Sequence, residues 1–83
     1  MNLSDNEREE LFHEFYAALD EKDIVRINNP SRAATFRMWR LLFDDAYNQV
    51  NGEKPNEQLA GLSHCGILAK MFIWGREPYL VDK

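Results

Sequence analysis

The sequence predicts an all-α fold, a small three-helix bundle with an ordered connector and an extended C-terminal tail. Three stretches place apolar residues at the spacing of an amphipathic helix. Each stretch follows a side chain that caps helix N-termini, namely Ser4, Ser31 or Asn56. A chain of 83 residues forms at most one domain, so residues 1–83 are expected to be a single helical domain.

The first helix is predicted over residues 5–22. Ser4 and Glu7 have the capping-box spacing, in which each side chain accepts a hydrogen bond from the backbone N–H of the other. The apolar stripe of this helix has five members: Leu11, Phe12, Phe15, Tyr16 and Leu19. A stripe of this width predicts a helix with one face in the core.

Residues 23–30 interrupt the helical pattern. Three branched apolar residues at 24–27 favour extended backbone, and Pro30 disfavours a helical conformation in the residue before it. We therefore expect an ordered connector. A short strand that pairs with the apolar tail at residues 79–81 is one form that this connector could take.

The second helix is predicted over residues 31–50, with Ser31 as its cap and Asn51-Gly52 as its end. Its apolar stripe has six members: Phe36, Trp39, Leu42, Phe43, Tyr47 and Val50. This helix therefore also has one face in the core.

The third helix is predicted over residues 57–74, after Asn56 and before Gly75 and Pro78. Between Cys65 and Trp74 it carries one charge, Lys70, so it is apolar nearly all round. Such a helix needs burial on several sides, either in the centre of the bundle or at a dimer interface.

Acidic residues are concentrated at the start of the chain. The net charge is −4, but the first 23 residues hold eight acidic and two basic side chains, whereas the remaining sixty hold six and eight. We predict that the exposed face of the first helix binds a basic surface on a partner protein. Four glutamates are the candidate site residues: Glu7, Glu10, Glu14 and Glu21. The alternative is an ordinary solvated face, whose first acids suit the positive end of the helix dipole.

The sequence contains no motif for catalysis, for a structural metal or for phosphate binding. His13 follows Glu9 by four residues, a spacing more typical of a solvated helix face than of a metal ligand set. Cys65 follows His64, but adjacent helical side chains point about 100° apart and do not form a nucleophile and base. We expect no enzymatic activity, no metal and no cofactor, with Cys65 as a small core residue.

A second interpretation of the function is a helix-turn-helix-like regulator that binds nucleic acid. It would use three arginines of the second helix: Arg32, Arg37 and Arg40. The third helix and its exit at residues 74–78 resemble the recognition helix of repressor-type domains. However, this helix offers few polar side chains to base edges, and the acidic chain repels nucleic acid. Pairing with nearby acids is the expected role of the arginines, such as Arg40 with Asp44 or Arg26 with the first helix.

The expected function is therefore that of a non-enzymatic protein-binding module, an adaptor or inhibitor, with a homodimer as the form of any self-association. The N-terminus lacks the basic start and apolar stretch of a secretory signal, and no apolar run reaches the roughly 18 residues of a membrane span. The single cysteine excludes an internal disulfide. We expect a soluble, cytoplasmic protein without membrane contact.

Overall fold

A computed structural model describes residues 3–27 and 30–80, with side chains up to Arg76. Its elements are α1 (Asp5–Ala18), α2 (Glu21–Ile24), α3 (Arg32–Val50), a 3₁₀-helix (Glu57–Leu62) and α4 (Ser63–Leu80). No strand occurs in these ranges, and the predicted all-α bundle is confirmed. The bundle consists of α1, α3 and α4, while the two short helices belong to the connections between them.

Helix α1 begins at the predicted capping box. The backbone N–H of Glu7 donates to Ser4 Oγ, and the N–H of Ser4 donates to Glu7 Oε1. The helix ends at Ala18 rather than at residue 22, because Leu19 adopts extended backbone and Asp20 caps α2. The expectation that Glu21 lies on the first helix is therefore wrong, since Glu21 begins a separate short helix.

The described part of the connector contains the last residues of α2 and the turn that follows it, and no strand. Ile24 ends α2, and its carbonyl oxygen accepts a hydrogen bond of 3.2 Å from Trp39 Nε1. This bond fixes the connector to α3. The suggested pairing of the connector with residues 79–81 is also wrong, because Tyr79 and Leu80 are the last residues of α4. Asn28 and Asn29 of the connector and Val81 of the tail lie outside the described residues.

Helix α3 agrees with its prediction to within one residue. Ser31 Oγ accepts a hydrogen bond of 3.1 Å from the N–H of Ala34, as expected of a cap. The helix ends at Val50 with Asn51 as its C-cap, and Gly52 adopts a φ of +93°, which a residue without a side chain adopts at no steric cost. The local sequence is therefore sufficient to set both ends.

The predicted third helix is divided into two elements. Asn56 caps it as expected, with its Oδ1 accepting from the N–H of Gln58, but residues 57–62 form the tighter 3₁₀-helix. Such turns are common at the start of an α-helix. Helix α4 then passes through Gly75 to Leu80, because Gly75 does not adopt the left-handed conformation that ends a helix. The prediction of an extended tail is therefore wrong for Tyr79 and Leu80, which are helical. Residues 81–83 lie outside the described part.

The core is built on aromatic contacts between α1 and α3. Phe12 and Phe15 of α1 and Trp39 and Phe43 of α3 are all at most 3% exposed. The ring centroids lie 5.5 Å apart for Phe12 and Phe43, and 5.4 Å apart for Phe15 and Phe43. Tilted pairs at this distance gain about 0.5–1.5 kcal/mol beyond the burial of their area.

Helix α4 completes the core with a line of smaller side chains. Cys65, Ala69 and Ile73 recur every four residues and are buried, which confirms the prediction that Cys65 is a core residue. Small side chains at two of these positions let the α4 backbone approach the rest of the core closely. Phe72 connects α4 to α1, with its ring centroid 5.4 Å from that of Phe15.

The adjacent residues Leu41 and Leu42 of α3 test this assignment of the core. Leu42 is 2% exposed, whereas Leu41 is 54% exposed. We expect Leu42→Ala to lower the free energy of unfolding by about 2–5 kcal/mol, because it leaves a cavity, and Leu41→Ala to lower it by less than about 1 kcal/mol. Urea denaturation followed by circular dichroism measures both. Equal losses for the two variants would mean that the register of α3 is misassigned.

Candidate protein-contact surfaces

In the folded chain, fewer glutamates lie on the exposed face of the first helix than the sequence predicted. Glu10 and Glu14 are exposed on α1, whereas Glu7 is half-buried and bonded to Ser4. Glu21 lies on α2, 4.0 Å from the guanidinium of Arg32. The structure therefore places two of the four candidate glutamates, Glu10 and Glu14, together on the exposed side of α1.

Glu14 is partly neutralised within the chain. Its Oε2 lies 3.4 Å from Nη2 of Arg76 on α4, and the Arg76 guanidinium lies 5.3 Å from the ring centroid of Phe72. Glu10 has no ion pair within 4.0 Å among the described residues. The charge that this face offers to a partner thus comes mainly from Glu10.

A network of charged side chains connects α1 to α3. Glu9 Oε2 lies 2.5 Å from Arg40 Nη2, and Arg40 Nε lies 3.4 Å from Asp44 Oδ2. Asp44 also pairs with Arg8 of α1 at 3.8 Å. The Arg40 guanidinium lies over the ring of Phe12, 5.2 Å from its centroid. This network covers the edge of the aromatic core.

Sequence reasoning did not identify Glu9 as a structural residue. The available signal was its position three residues before Phe12, which places it beside the apolar stripe of α1 and not on the opposite face. The sequence could not show that α3 lies on that side. Glu9 also contacts His13, the other residue of the rejected metal site, at 3.3 Å.

The three arginines of the nucleic-acid interpretation do not form one free cluster. Arg40 is held by Glu9 and by Asp44, and its pairing with Asp44 confirms the prediction. Arg32 is almost fully exposed, and Arg37 is exposed without an acidic partner within 4.0 Å in the described part of the chain. Arg26 pairs with Asp23 of α2 at 3.2 Å, and not with the first helix as expected.

His64 and Cys65, which do not form a nucleophile and base, differ in their burial. His64 is exposed, while Cys65 is buried, and this burial raises the pKa of the Cys65 thiol. The thiol therefore stays protonated at neutral pH. Within the described ranges, no group of three or more His, Cys, Asp or Glu side chains is placed to hold a metal ion.

Helix α4 exposes large apolar side chains along one face. Ile67, Met71 and Trp74 are 52%, 60% and 52% exposed, and their spacing places them on the same side of the helix. We call these three residues the α4 apolar face. The sequence predicted that this helix needs burial on several sides, but α1 and α3 cover only the side opposite to this face.

A groove of about 360 Å³ lies between α3, the 3₁₀-helix and α4, and Ile67 lines it. Its apolar lining includes Leu42, Leu59 and Leu62. Gly66 leaves the groove open, since a Cβ atom at this position would meet nothing within 4 Å. The α4 apolar face and this α3–α4 groove are therefore adjacent.

Charges of both signs lie beside the groove. Asp45 and Glu57 line it, together with Lys70 of α4. Asp45 is held in position, because its carboxylate accepts hydrogen bonds from the Gln49 side chain and from the N–H of Asn56.

In the part of the chain that the structure describes, no helix is long and apolar enough to cross a membrane. Comparisons with protein families, with curated protein sequences and with solved structures find no match to this chain. The assignment of a function therefore depends on the surfaces above.

The pairing of Glu9 with Arg40 predicts a specific dependence of stability on pH. The hydrogen bond from Arg40 holds the pKa of the Glu9 carboxyl below its ordinary value, which is about 4.3. Because the pKa is lower in the folded state, ionised Glu9 stabilises the fold above about pH 4.3, and this contribution is lost as the pH falls through the folded-state pKa.

We therefore expect Glu9→Gln to be less stable than the wild type at neutral pH, with a difference that decreases as the pH falls below about 4.3 and the Glu9 carboxylate becomes protonated. Urea denaturation at a series of pH values measures this difference. Glu10→Gln is the matched control, since Glu10 is exposed and lacks an ion pair among the described residues. A difference for Glu9→Gln that stays constant over the whole pH range would contradict the assigned pairing.

Proposed function

We propose that this chain is a non-enzymatic protein-binding module whose main contact surface is the α4 apolar face. The observation that carries this proposal is the exposure of Ile67, Met71 and Trp74, each by more than half, on one side of one helix. Single exposed apolar side chains are common on proteins, but a contiguous row of large ones is typical of an interaction site.

The composition of this surface supports a protein partner. Tryptophan and methionine are enriched at the centres of protein interfaces, and charged residues are depleted there. Lys70 is the only charged residue of α4 between Ser63 and Ile73. The α3–α4 groove beside Ile67 gives a concave site in which an apolar anchor from a partner would be buried.

A second contact surface is proposed on α1, where Glu10 is exposed and lies beside Glu14. Complementary charge at the rim of an interface mainly accelerates association. In this view the acidic face steers a partner with a basic surface, and the apolar face of α4 supplies most of the affinity. Two such surfaces on one small domain would suit an adaptor or an inhibitor.

The matched pair Met71 and Val25 tests the main surface, because both side chains are 60% exposed but Val25 lies beside α2, on a different element. We expect Met71→Ser to weaken partner binding by about thirtyfold, the effect of losing roughly 2 kcal/mol at an interface. Val25→Ser is expected to bind like the wild type. The measurement is a pull-down from host lysate with nuclease present, followed by affinity titration of the recovered protein.

Equal recovery by both variants would exclude the α4 apolar face. A parallel pull-down without nuclease tests the alternative. Retention seen only in that sample, and lost in Arg37→Gln, would favour the nucleic-acid interpretation, because phosphate contacts made by arginine would then carry the binding.

The acidic face is tested with the recovered partner at low salt. We expect Glu10→Gln to slow association, with an effect that decreases as salt screens the charge. Glu53→Gln makes the same change of charge at an exposed position in the loop after α3 and is expected to leave the rate unchanged. Stopped-flow mixing measures both rates. If Glu10→Gln and Glu53→Gln are indistinguishable, the glutamates of α1 are an ordinary solvated face.

A further inference from the structure

A cavity of about 330 Å³ lies where the end of α1, the short helix α2 and the start of α3 meet. We call it the connector cavity. Its volume is at the lower end of the roughly 300–1,000 Å³ that is typical of small-molecule sites. Five residues form its mainly apolar lining: Tyr16, Ile24, Val25, Ile27 and Pro30. The cavity is therefore suited to a small ligand with an apolar part.

The walls of the connector cavity are attached to the core. Trp39 Nε1 donates a hydrogen bond of 3.2 Å to the carbonyl oxygen of Ile24, and Ile27 is only 5% exposed. The ring centroid of Tyr16 lies 5.0 Å from that of Phe36. These contacts hold α2 and the end of α1 against α3, so the cavity is formed before any ligand binds.

The hydroxyl groups that line the cavity are already used within the chain. Ser31 Oγ accepts a hydrogen bond from the N–H of Ala34, and Thr35 Oγ1 donates one to the carbonyl oxygen of Ser31. Two charged side chains complete the polar part of the lining, namely Glu21 and Arg32. These charges decide which ligand the cavity fits.

Glu21 and Arg32 form only a weak ion pair with each other. Arg32 Nη2 lies 4.0 Å from Glu21 Oε1, and the two side chains are 98% and 72% exposed. Neither has another ion partner within 4.0 Å among the described residues. An ion pair this exposed contributes little to stability, so both charges can turn toward a ligand at small cost.

A ligand that carries both signs of charge matches this pair. A simple carboxylate would be repelled by Glu21, and a simple amine would be repelled by Arg32. In an α-amino acid the nitrogen and the carboxylate carbon are only about 2.5 Å apart. Its amine can therefore contact Glu21 while its carboxylate contacts Arg32, and its side chain is left for the apolar lining.

From this geometry we infer that the connector cavity binds a free α-amino acid with a large apolar side chain, such as leucine. The amine pairs with the Glu21 carboxylate, the carboxylate pairs with the Arg32 guanidinium, and the side chain packs against Ile24 and Ile27. This site is separate from the α4 apolar face and does not depend on the proposed function. For a ligand this small the expected dissociation constant is about 0.1–1 mM.

The first test compares four ligands by nuclear magnetic resonance titration of the ¹⁵N-labelled full chain. L-Leucine is expected to shift the amide signals of Ile24, Ile27 and Thr35 in a saturable manner. Glycine lacks the apolar side chain, N-acetylleucine lacks the positive charge and leucinamide lacks the negative charge. Each of these three is expected to bind at least about tenfold more weakly, because it leaves part of the cavity without its counterpart.

The second test changes the two charges of the site. Arg32→Gln and Glu21→Gln are each expected to weaken leucine binding by about tenfold. Arg37→Gln and Glu10→Gln make the same changes of charge at exposed positions outside the cavity lining, and they are expected to bind leucine like the wild type. All four positions are exposed, so the fold is expected to stay intact, which circular dichroism checks.

The absence of a saturable shift with leucine would overturn the site. Equal binding of leucine, N-acetylleucine and leucinamide would do the same, as would equal effects of Arg32→Gln and Arg37→Gln. Tighter binding of N-acetylleucine, together with a gain of affinity in Glu21→Gln, would replace the amino acid with a simple carboxylate. None of these results bears on capture of a partner protein through Met71, which lies outside the cavity lining.

Discussion

The packing of Phe12 and Phe15 against Trp39 and Phe43 is the contact on which the rest of this structure depends. A chain of this length buries only about 60% of the surface that it exposes when unfolded, so a few large side chains must supply much of the apolar burial. Aromatic rings bury about 150–250 Å² each, and these four are almost fully enclosed. Their position sets the angle and register of α1 on α3, and it also determines which glutamates of α1 turn toward α3 and which turn toward solvent.

The charged residues follow from this arrangement. Glu9 pairs with Arg40, whose guanidinium lies over the ring of Phe12, while Glu10, the next residue, is exposed. One residue along a helix is a rotation of about 100°, which separates an interhelical ion pair from a solvated carboxylate. Similarly, Arg40 covers the aromatic core and Arg37 does not. The acidic residues of α1 therefore divide into two groups in the folded chain. Glu9 forms an ion pair with α3, whereas Glu10 and Glu14 stay on a smaller exposed surface.

Helix α4 shows the opposite situation, in which burial is incomplete. It is apolar nearly all round, but a three-helix bundle offers it only two neighbours, and Cys65, Ala69 and Ile73 use the side that faces them. Ile67, Met71 and Trp74 are left on the far side, next to a groove that Gly66 keeps open. The domain is thus too small to cover its most apolar helix, and this mismatch is the physical basis for the proposed function.

The sequence by itself determined the helical class, the capping residues Ser4, Ser31 and Asn56, the glycine-dependent end of α3 and the burial of Cys65, because these depend on local hydrogen bonding and on helical periodicity. Only the tertiary structure decided that α1 ends at Ala18, that Glu9 meets Arg40, and that α4 leaves Met71 and Trp74 exposed. Periodicity shows which residues share a face. It does not show which helix packs against that face, and the pairing of charges and the exposure of apolar residues depend on that choice.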